Sequence, residues 1–194
     1  MKKTFLLTAL MAALVGSALH FLYDLWPNSL TALISPVNES VWEHFKLLFW
    51  PTLAAAFFLA AKAEKPIALW GSVFLILPLM PIFLGGLYYL LGGGFQVMGL
   101  AVDIGLYFLT MILGFLLIYA LRNNRHLEKA AGYLLMLTIL YGAALILLTF
   151  AAPPLGIFTP PAQDLASASV FSHKFLLFLK KLKISVDFFA YSAL

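Results

Sequence analysis

Five apolar stretches, each near or above the length that crosses a membrane, dominate this sequence. A helix of about 20 apolar residues spans the roughly 30 Å hydrocarbon core of a bilayer. Because lipid offers no hydrogen bonds, such a segment must pair its own backbone groups, which favours a helix. The predicted spans are residues 4–26, 46–61, 66–91, 95–121 and 130–152.

The composition points in the same direction. Hydrophobic residues make up 63% of the chain, charged residues only 10%, and the mean hydropathy is +1.00, all far from the average of a soluble domain. We therefore expect an all-α, polytopic transmembrane helix bundle of about five spans, formed by residues 1–152. Its surroundings would be a lipid bilayer, with the cytoplasmic (inner) membrane as the expected location.

The net charge of +4 does not indicate nucleic-acid binding. The basic residues occur in short clusters between apolar stretches, and no basic face is interleaved with aromatic side chains. The chain has no cysteine, which excludes disulfides, thiolate metal ligands and a cysteine nucleophile.

Lys and Arg residues cluster at residues 2–3, 62–65 and 122–129, which alternate with the predicted spans. Basic residues are enriched on the cytoplasmic side of membrane proteins, so these segments are expected inside, together with the N-terminus. The loop at residues 27–45 and the turn at 92–94 would then lie outside, and neither contains Lys or Arg.

This topology predicts the outcome of reporter fusions. Fusions after Ala63 and Asn124 should report the cytoplasm, and fusions after Gly93 and Ala162 should report the outer side, because the basic segments alternate with uncharged connections. A cytoplasmic signal after Gly93 would contradict the predicted orientation.

Three segments allow more than one interpretation. Residues 2–18 resemble a signal peptide with a small-residue cleavage site, although the apolar stretch continues to Trp26 and is long enough to span. The third span contains Pro78 and Pro81, which predict a kink or, alternatively, a re-entrant pair of half-helices. The Pro-rich turn and tail at residues 153–194 fit an interfacial helix, a poor sixth span, or a segment foreign to the bundle.

The segment from Ser35 to Lys46 reads SPVNESVWEHFK and places two carboxylates and an imidazole within six residues. Ionisable groups near a bilayer are costly, so they tend to persist where they bind, move or pair with something. A helix could start at Ser35-Pro36, or at Ser40 with Glu43 completing a capping box. Either start predicts that Glu39 and Glu43 share one helix face.

Other ionisable residues are expected at a similar depth. His20 and Asp24 are four residues apart near the outer end of the first span, so they share a helix face. Asp103 is expected roughly 12 Å inward along the fourth span. Imidazole with several carboxylates suits zinc, iron or manganese. We assign His20, Asp24, His44 and Asp103 as candidate metal ligands, and Glu39 and Glu43 as candidate catalytic carboxylates.

Each residue also has a structural interpretation. His20 and Asp24 could form a buried pair that locks two helices, and Glu39 and Glu43 could be helix-start residues assisted by Lys46. Three function classes follow: a metal-dependent membrane hydrolase, a non-catalytic structural or partner-binding membrane protein, and a proton- or cation-coupled transporter. The spacing matches no zinc-protease motif, and nothing identifies a substrate or an oligomeric state.

The sequences HFLYDLW at residues 20–26 and SPVNESVWEHFKLLFWP at residues 35–51 resemble a family of small multi-spanning membrane proteins of unknown function. That family carries a Pro-Val-Asn-Glu-Ser-x-Trp-Glu-His box after a His-Phe-x-x-Asp helix end. The resemblance implies a polytopic membrane protein but no activity, and it fades after Phe158. The positions it marks are His20, Asp24, Asn38, Glu39, Ser40, Glu43 and His44.

Overall fold

The computed structural model describes residues 2–97 and 99–160, and within them all regular secondary structure is helical. The predictions for the tail after residue 160 therefore lie outside the described residues. The α-helices are α1 Lys2–Leu19, α2 Leu22–Leu25, α3 Ser29–Ile34, α4 Val41–Ala60, α5 Pro66–Tyr89, α6 Leu100–Leu121 and α7 Arg125–Phe150. A π-helical turn, Leu90–Gly94, extends α5, and a short 3-10 turn, Gly156–Phe158, follows α7.

Four helical segments are long and apolar enough to cross a membrane: Lys3–Leu25, Pro66–Gly94, Leu100–Leu121 and Arg125–Phe150. They confirm the predicted class, an all-α bundle with membrane-spanning helices. Helix α4, which contains the remaining predicted span, has 20 residues but carries Glu43, His44 and Lys46 in its first two turns. This charged turn of α4 lies at the site described below.

Helix α5 packs against α4, α6 and α7, while α1 packs against α4 and α6. The end of α1 and the starts of α4 and α6 lie at the same end of the bundle as the end of α7. At the opposite end, Thr4, Lys62 and Arg122 line one cleft. The basic segments thus share one end, as the sequence predicts, and which membrane side that end faces stays a prediction.

Helix α6 begins five residues later than the predicted span. Gln96 and Gly99 have positive φ angles of 54° and 143°, so the chain turns there before it becomes helical. As a result Asp103 lies in the first turn of α6, closer to the helix end than its predicted depth. Helix α5, in contrast, continues through Pro78 and Pro81 as one helix, so the re-entrant alternative was wrong.

The start of α4 decides between the two predicted caps. The Ser40 hydroxyl accepts a hydrogen bond from the backbone N–H of Glu43 at 3.4 Å, which makes Ser40 the N-cap. Ser35 instead terminates α3 as its C-cap. Glu39 consequently precedes the helix, and the prediction that Glu39 and Glu43 share a helix face was wrong.

Helices α1, α4 and α6 approach one another closely around Gly16. A Cβ atom on Gly16 of α1 would collide with the Tyr107 hydroxyl and lie 2.8 Å from the Leu47 carbonyl oxygen, so only glycine fits. The Tyr107 hydroxyl donates to the carbonyl of Ala13 at 3.0 Å and approaches that of Leu47 at 3.4 Å. Tyr107 of α6 therefore ties α1 to α4 one turn below His20.

Candidate metal centre

A break between α1 and α2 positions His20. The first helix ends at Leu19, and the chain turns at His20 and Phe21 before α2 begins. The buried hydroxyl of Ser35 donates to the Leu19 carbonyl at 2.6 Å and accepts from the Tyr23 N–H at 3.1 Å. It thereby satisfies two backbone groups that the break would leave unpaired, and it fastens the segment before α4 to the end of α1.

His20, Glu39 and His44 converge at this break. The two Nε2 atoms of His20 and His44 are 3.1 Å apart, and each lies 3.4 Å from Oε2 of Glu39. Their side chains are about one quarter exposed, so the cluster is reachable from solvent without being on the surface. We refer to these three residues as the His/Glu cluster.

Hydrogen bonds orient the imidazole of His44. Its Nδ1 lies 2.8 Å from the carbonyl oxygen of Ser40, an acceptor only, so Nδ1 carries the proton and donates. In neutral His44 the Nε2 lone pair then faces the rest of the His/Glu cluster. A backbone carbonyl that fixes the tautomer in this way is typical of metal-ligating histidines.

Glu39 supplies the negative charge of the cluster. Burial of its carboxyl opposes ionisation, but hydrogen bonds with His20 and His44 and the charges of these residues outweigh burial and hold the pKa of Glu39 below its ordinary value. Glu39 is therefore a carboxylate over the whole physiological pH range. A hydrogen bond from Nε2 of His44 to this carboxylate requires a second proton on the imidazole, so a metal ion that binds at Nε2 would displace that proton.

The interatomic distances match a metal-ligand set. Two ligand atoms that each bind zinc at about 2.05 Å in a tetrahedral site are about 3.3 Å apart, close to the observed 3.1, 3.4 and 3.4 Å. The triangle is therefore of a size that fits one ion bound by all three residues, and the 3.1 Å between the two imidazoles also fits a hydrogen bond between them.

The other two predicted ligands lie beside the cluster. The three ligand atoms of His20, Glu39 and His44 fall within 4.8 Å of one another, and this group includes neither Asp24 nor Asp103. The charges of Glu39 and His20 act on Asp24, in α2, and the charge of Asp103, at the start of α6, acts on His44. Two carboxylates from two different helices are thus near enough to interact electrostatically with the cluster.

Glu43, the other predicted catalytic residue, belongs to a separate buried ion pair. Lys46 and Glu43 are 0% and 3% exposed, and the Lys46 ammonium donates to Oε2 of Glu43 at 2.6 Å. The same ammonium donates to the carbonyls of Ala32 at 2.7 Å and Ser35 at 3.2 Å. Lys46 therefore places a cation at the C-terminal end of α3, where the exposed carbonyls favour one.

Both oxygens of the Glu43 carboxylate are occupied. Oε2 also accepts from the N–H of Val37 at 3.0 Å, and Oε1 accepts from the Thr149 hydroxyl at 2.9 Å. The ion pair thus connects the segment that carries Glu39 to α4 and to the end of α7. Sequence reasoning did not identify the roles of Ser35 and Thr149, since neither residue is charged and each acts on a distant segment.

Fold and site together define a helical membrane protein with a solvent-accessible His/Glu cluster at one end of its bundle. The chain belongs to the Family of unknown function (DUF6512), which it matches over residues 1–164. No curated protein and no solved structure matches the chain.

Removing one partner of the buried ion pair should destabilise the bundle strongly. Lys46→Met would leave the Glu43 carboxylate buried without its cation, a loss of about 3–5 kcal/mol in the free energy of unfolding. Unfolding of the purified protein by titration with a denaturing detergent measures this loss. The double variant Glu43→Leu/Lys46→Met should recover a large part of it, because no unpaired charge remains.

Lys65→Met is the matched control, since the Lys65 side chain is exposed and makes no capping hydrogen bond to α5. Its effect should stay within about 0.5 kcal/mol. If Lys46→Met changed stability no more than Lys65→Met, the ion pair would not hold the structure together.

Proposed function

We propose that this protein is a metal-dependent membrane hydrolase whose divalent ion is bound by His20, Glu39 and His44. The observation that carries the proposal is the triangle of two imidazole nitrogens and one carboxylate oxygen with tetrahedral-edge spacing. Two histidines and one glutamate form a known ligand set of catalytic zinc, and two histidines with one carboxylate also suit iron. Zinc, iron and manganese are therefore the ions to test.

Three protein ligands leave room for a water molecule on the ion. A bound divalent metal lowers the pKa of such a water to near 7, which supplies a nucleophile for hydrolysis at neutral pH. Asp24 and Asp103 interact electrostatically with the cluster and would be the carboxylates that accept a proton there. The proposal thus changes the predicted roles: Glu39 becomes a ligand, while Asp24 and Asp103 become proton acceptors.

Glu43 receives a structural role in this proposal. Its two oxygens are occupied by Lys46, Val37 and Thr149, so it has little capacity to act as a general base. The ion pair instead fixes the segment that presents Glu39, and its contribution is to position that ligand. This assignment agrees with the structural interpretation of Glu43 that the sequence allowed.

Metal loading tests the proposal. Full-length protein purified in detergent and incubated separately with Zn²⁺, Fe²⁺ or Mn²⁺ should retain about one equivalent of its preferred ion after desalting, as measured by elemental analysis. Glu39→Gln and His44→Ala should each weaken binding by about 100-fold or more, since loss of a ligand exceeds the 10–100-fold effect of losing a residue that orients one.

His126→Ala is the matched histidine control, because His126 is exposed at the start of α7 and should bind no ion at this site. Wild-type protein that retains no more metal than Glu39→Gln would refute the metal centre. Substitution with Co²⁺ then separates a catalytic from a structural site. An open position should bind added azide and shift the visible absorption bands, whereas a closed structural site should give an unchanged spectrum.

A further inference from the structure

The end of the bundle opposite the His/Glu cluster contains a second candidate site. There a cleft of about 60 Å³ lies between the start of α1, the loop after α4 and the loop after α6. Its polar and cationic lining comes from Thr4, Lys62, Arg122 and Asn123, and its apolar wall includes Phe5 and Leu59. This volume is several times the roughly 10–15 Å³ that one water molecule needs by the same measure, so a small anionic group fits.

The guanidinium of Arg122 is held in place but incompletely paired. It lies 3.9 Å from the centre of the Tyr119 ring, and Nη1 donates to the Tyr119 carbonyl oxygen. Its Nε is buried and has no hydrogen-bond partner among the residues that the structure describes. A buried donor without an acceptor carries a desolvation cost, so an acceptor that enters this cleft would be stabilising.

The nearby acid does not neutralise the cationic groups. Glu64 also lines the cleft, but within residues 2–97 and 99–160 it forms no ion pair with Lys62 or Arg122. Lys62 instead lies over the Phe58 ring, 4.1 Å from its centre. Two cations on different loops thus remain available to one anion, and a planar guanidinium is well suited to phosphate oxygens.

We propose that this cleft binds a phosphate group, with Arg122 and Lys62 as its principal contacts. The phosphate can come from the headgroup of an anionic phospholipid or from a free phosphate in solution. Basic pockets between membrane helices at the interface are typical binding places of anionic headgroups. The apolar wall of Phe5 and Leu59 would accommodate the start of an acyl chain.

Native mass spectrometry of the full-length protein tests this site. Protein in detergent is mixed with phosphatidylglycerol, with phosphatidylcholine, or with inorganic phosphate, and the retained ligand is counted. Wild-type protein should retain phosphatidylglycerol over phosphatidylcholine, and Arg122→Gln should weaken that retention by about tenfold. Retention of inorganic phosphate with equal sensitivity to Arg122→Gln would support the site and assign it to a free anion.

Arg125→Gln is the matched control, since Arg125 is an exposed neighbour that does not line the cleft. It should bind phosphatidylglycerol like the wild type. If Arg122→Gln reduces folding yield, Lys62→Gln provides the second test at an exposed position, with a smaller loss of retention expected. If wild type, Arg122→Gln and Lys62→Gln retain phosphatidylglycerol equally and also retain inorganic phosphate equally, the proposal is overturned, whatever the outcome at the His/Glu cluster.

Discussion

The buried ion pair between Glu43 and Lys46 is the interaction on which the rest of this end of the bundle depends. Two charges that are almost fully removed from solvent are tolerated only when their hydrogen-bonding capacity is satisfied. Here three backbone groups and the Thr149 hydroxyl provide that satisfaction, and they come from α3, from the segment before α4 and from α7. The pair therefore converts a short polar segment into a fixed part of the bundle.

Because the segment before α4 is fixed in this way, Glu39 can join the His/Glu cluster although it does not lie in a helix. Ser35 connects the segment to the break after α1, and Ser40 caps α4 and also orients His44 through its carbonyl oxygen. His20 follows the end of α1 and His44 lies at the start of α4. Their side chains approach each other because the absence of a side chain at Gly16 and the hydrogen bond of Tyr107 keep α1 and α4 close together. The arrangement of the His/Glu cluster thus results from common features of helical proteins, namely close helix packing and helix capping.

The sequence allowed much of this arrangement to be predicted. Apolar length alone predicted the long helices, and the cost of ionisable groups near lipid singled out the segment around Glu39 and His44. The position of His20 near the outer end of the first predicted span predicted that it lies at a similar depth to Glu39 and His44. The prediction of the helices needs only local sequence, and the structure confirms it.

The details that failed depend on contacts distant in sequence. The carboxylate of Glu43 was expected beside Glu39, yet its orientation is set by Lys46 and by Thr149, which is 106 residues away. The break after Leu19 has no Gly or Pro to signal it, since Ser35 supplies its hydrogen bonds. The depth of Asp103 depended on a turn at Gln96 and Gly99 that apolar length does not reveal.

The central claim is that His20, Glu39 and His44 bind one divalent ion together. X-ray absorption at the K edge of the bound metal tests this claim directly, because it reports the type and distance of each ligand. The account predicts two imidazole nitrogens and one carboxylate oxygen at about 2.0–2.2 Å, with imidazole scattering halved in His44→Ala. A bound metal with oxygen ligands alone, or a spectrum unchanged by His44→Ala, would contradict it.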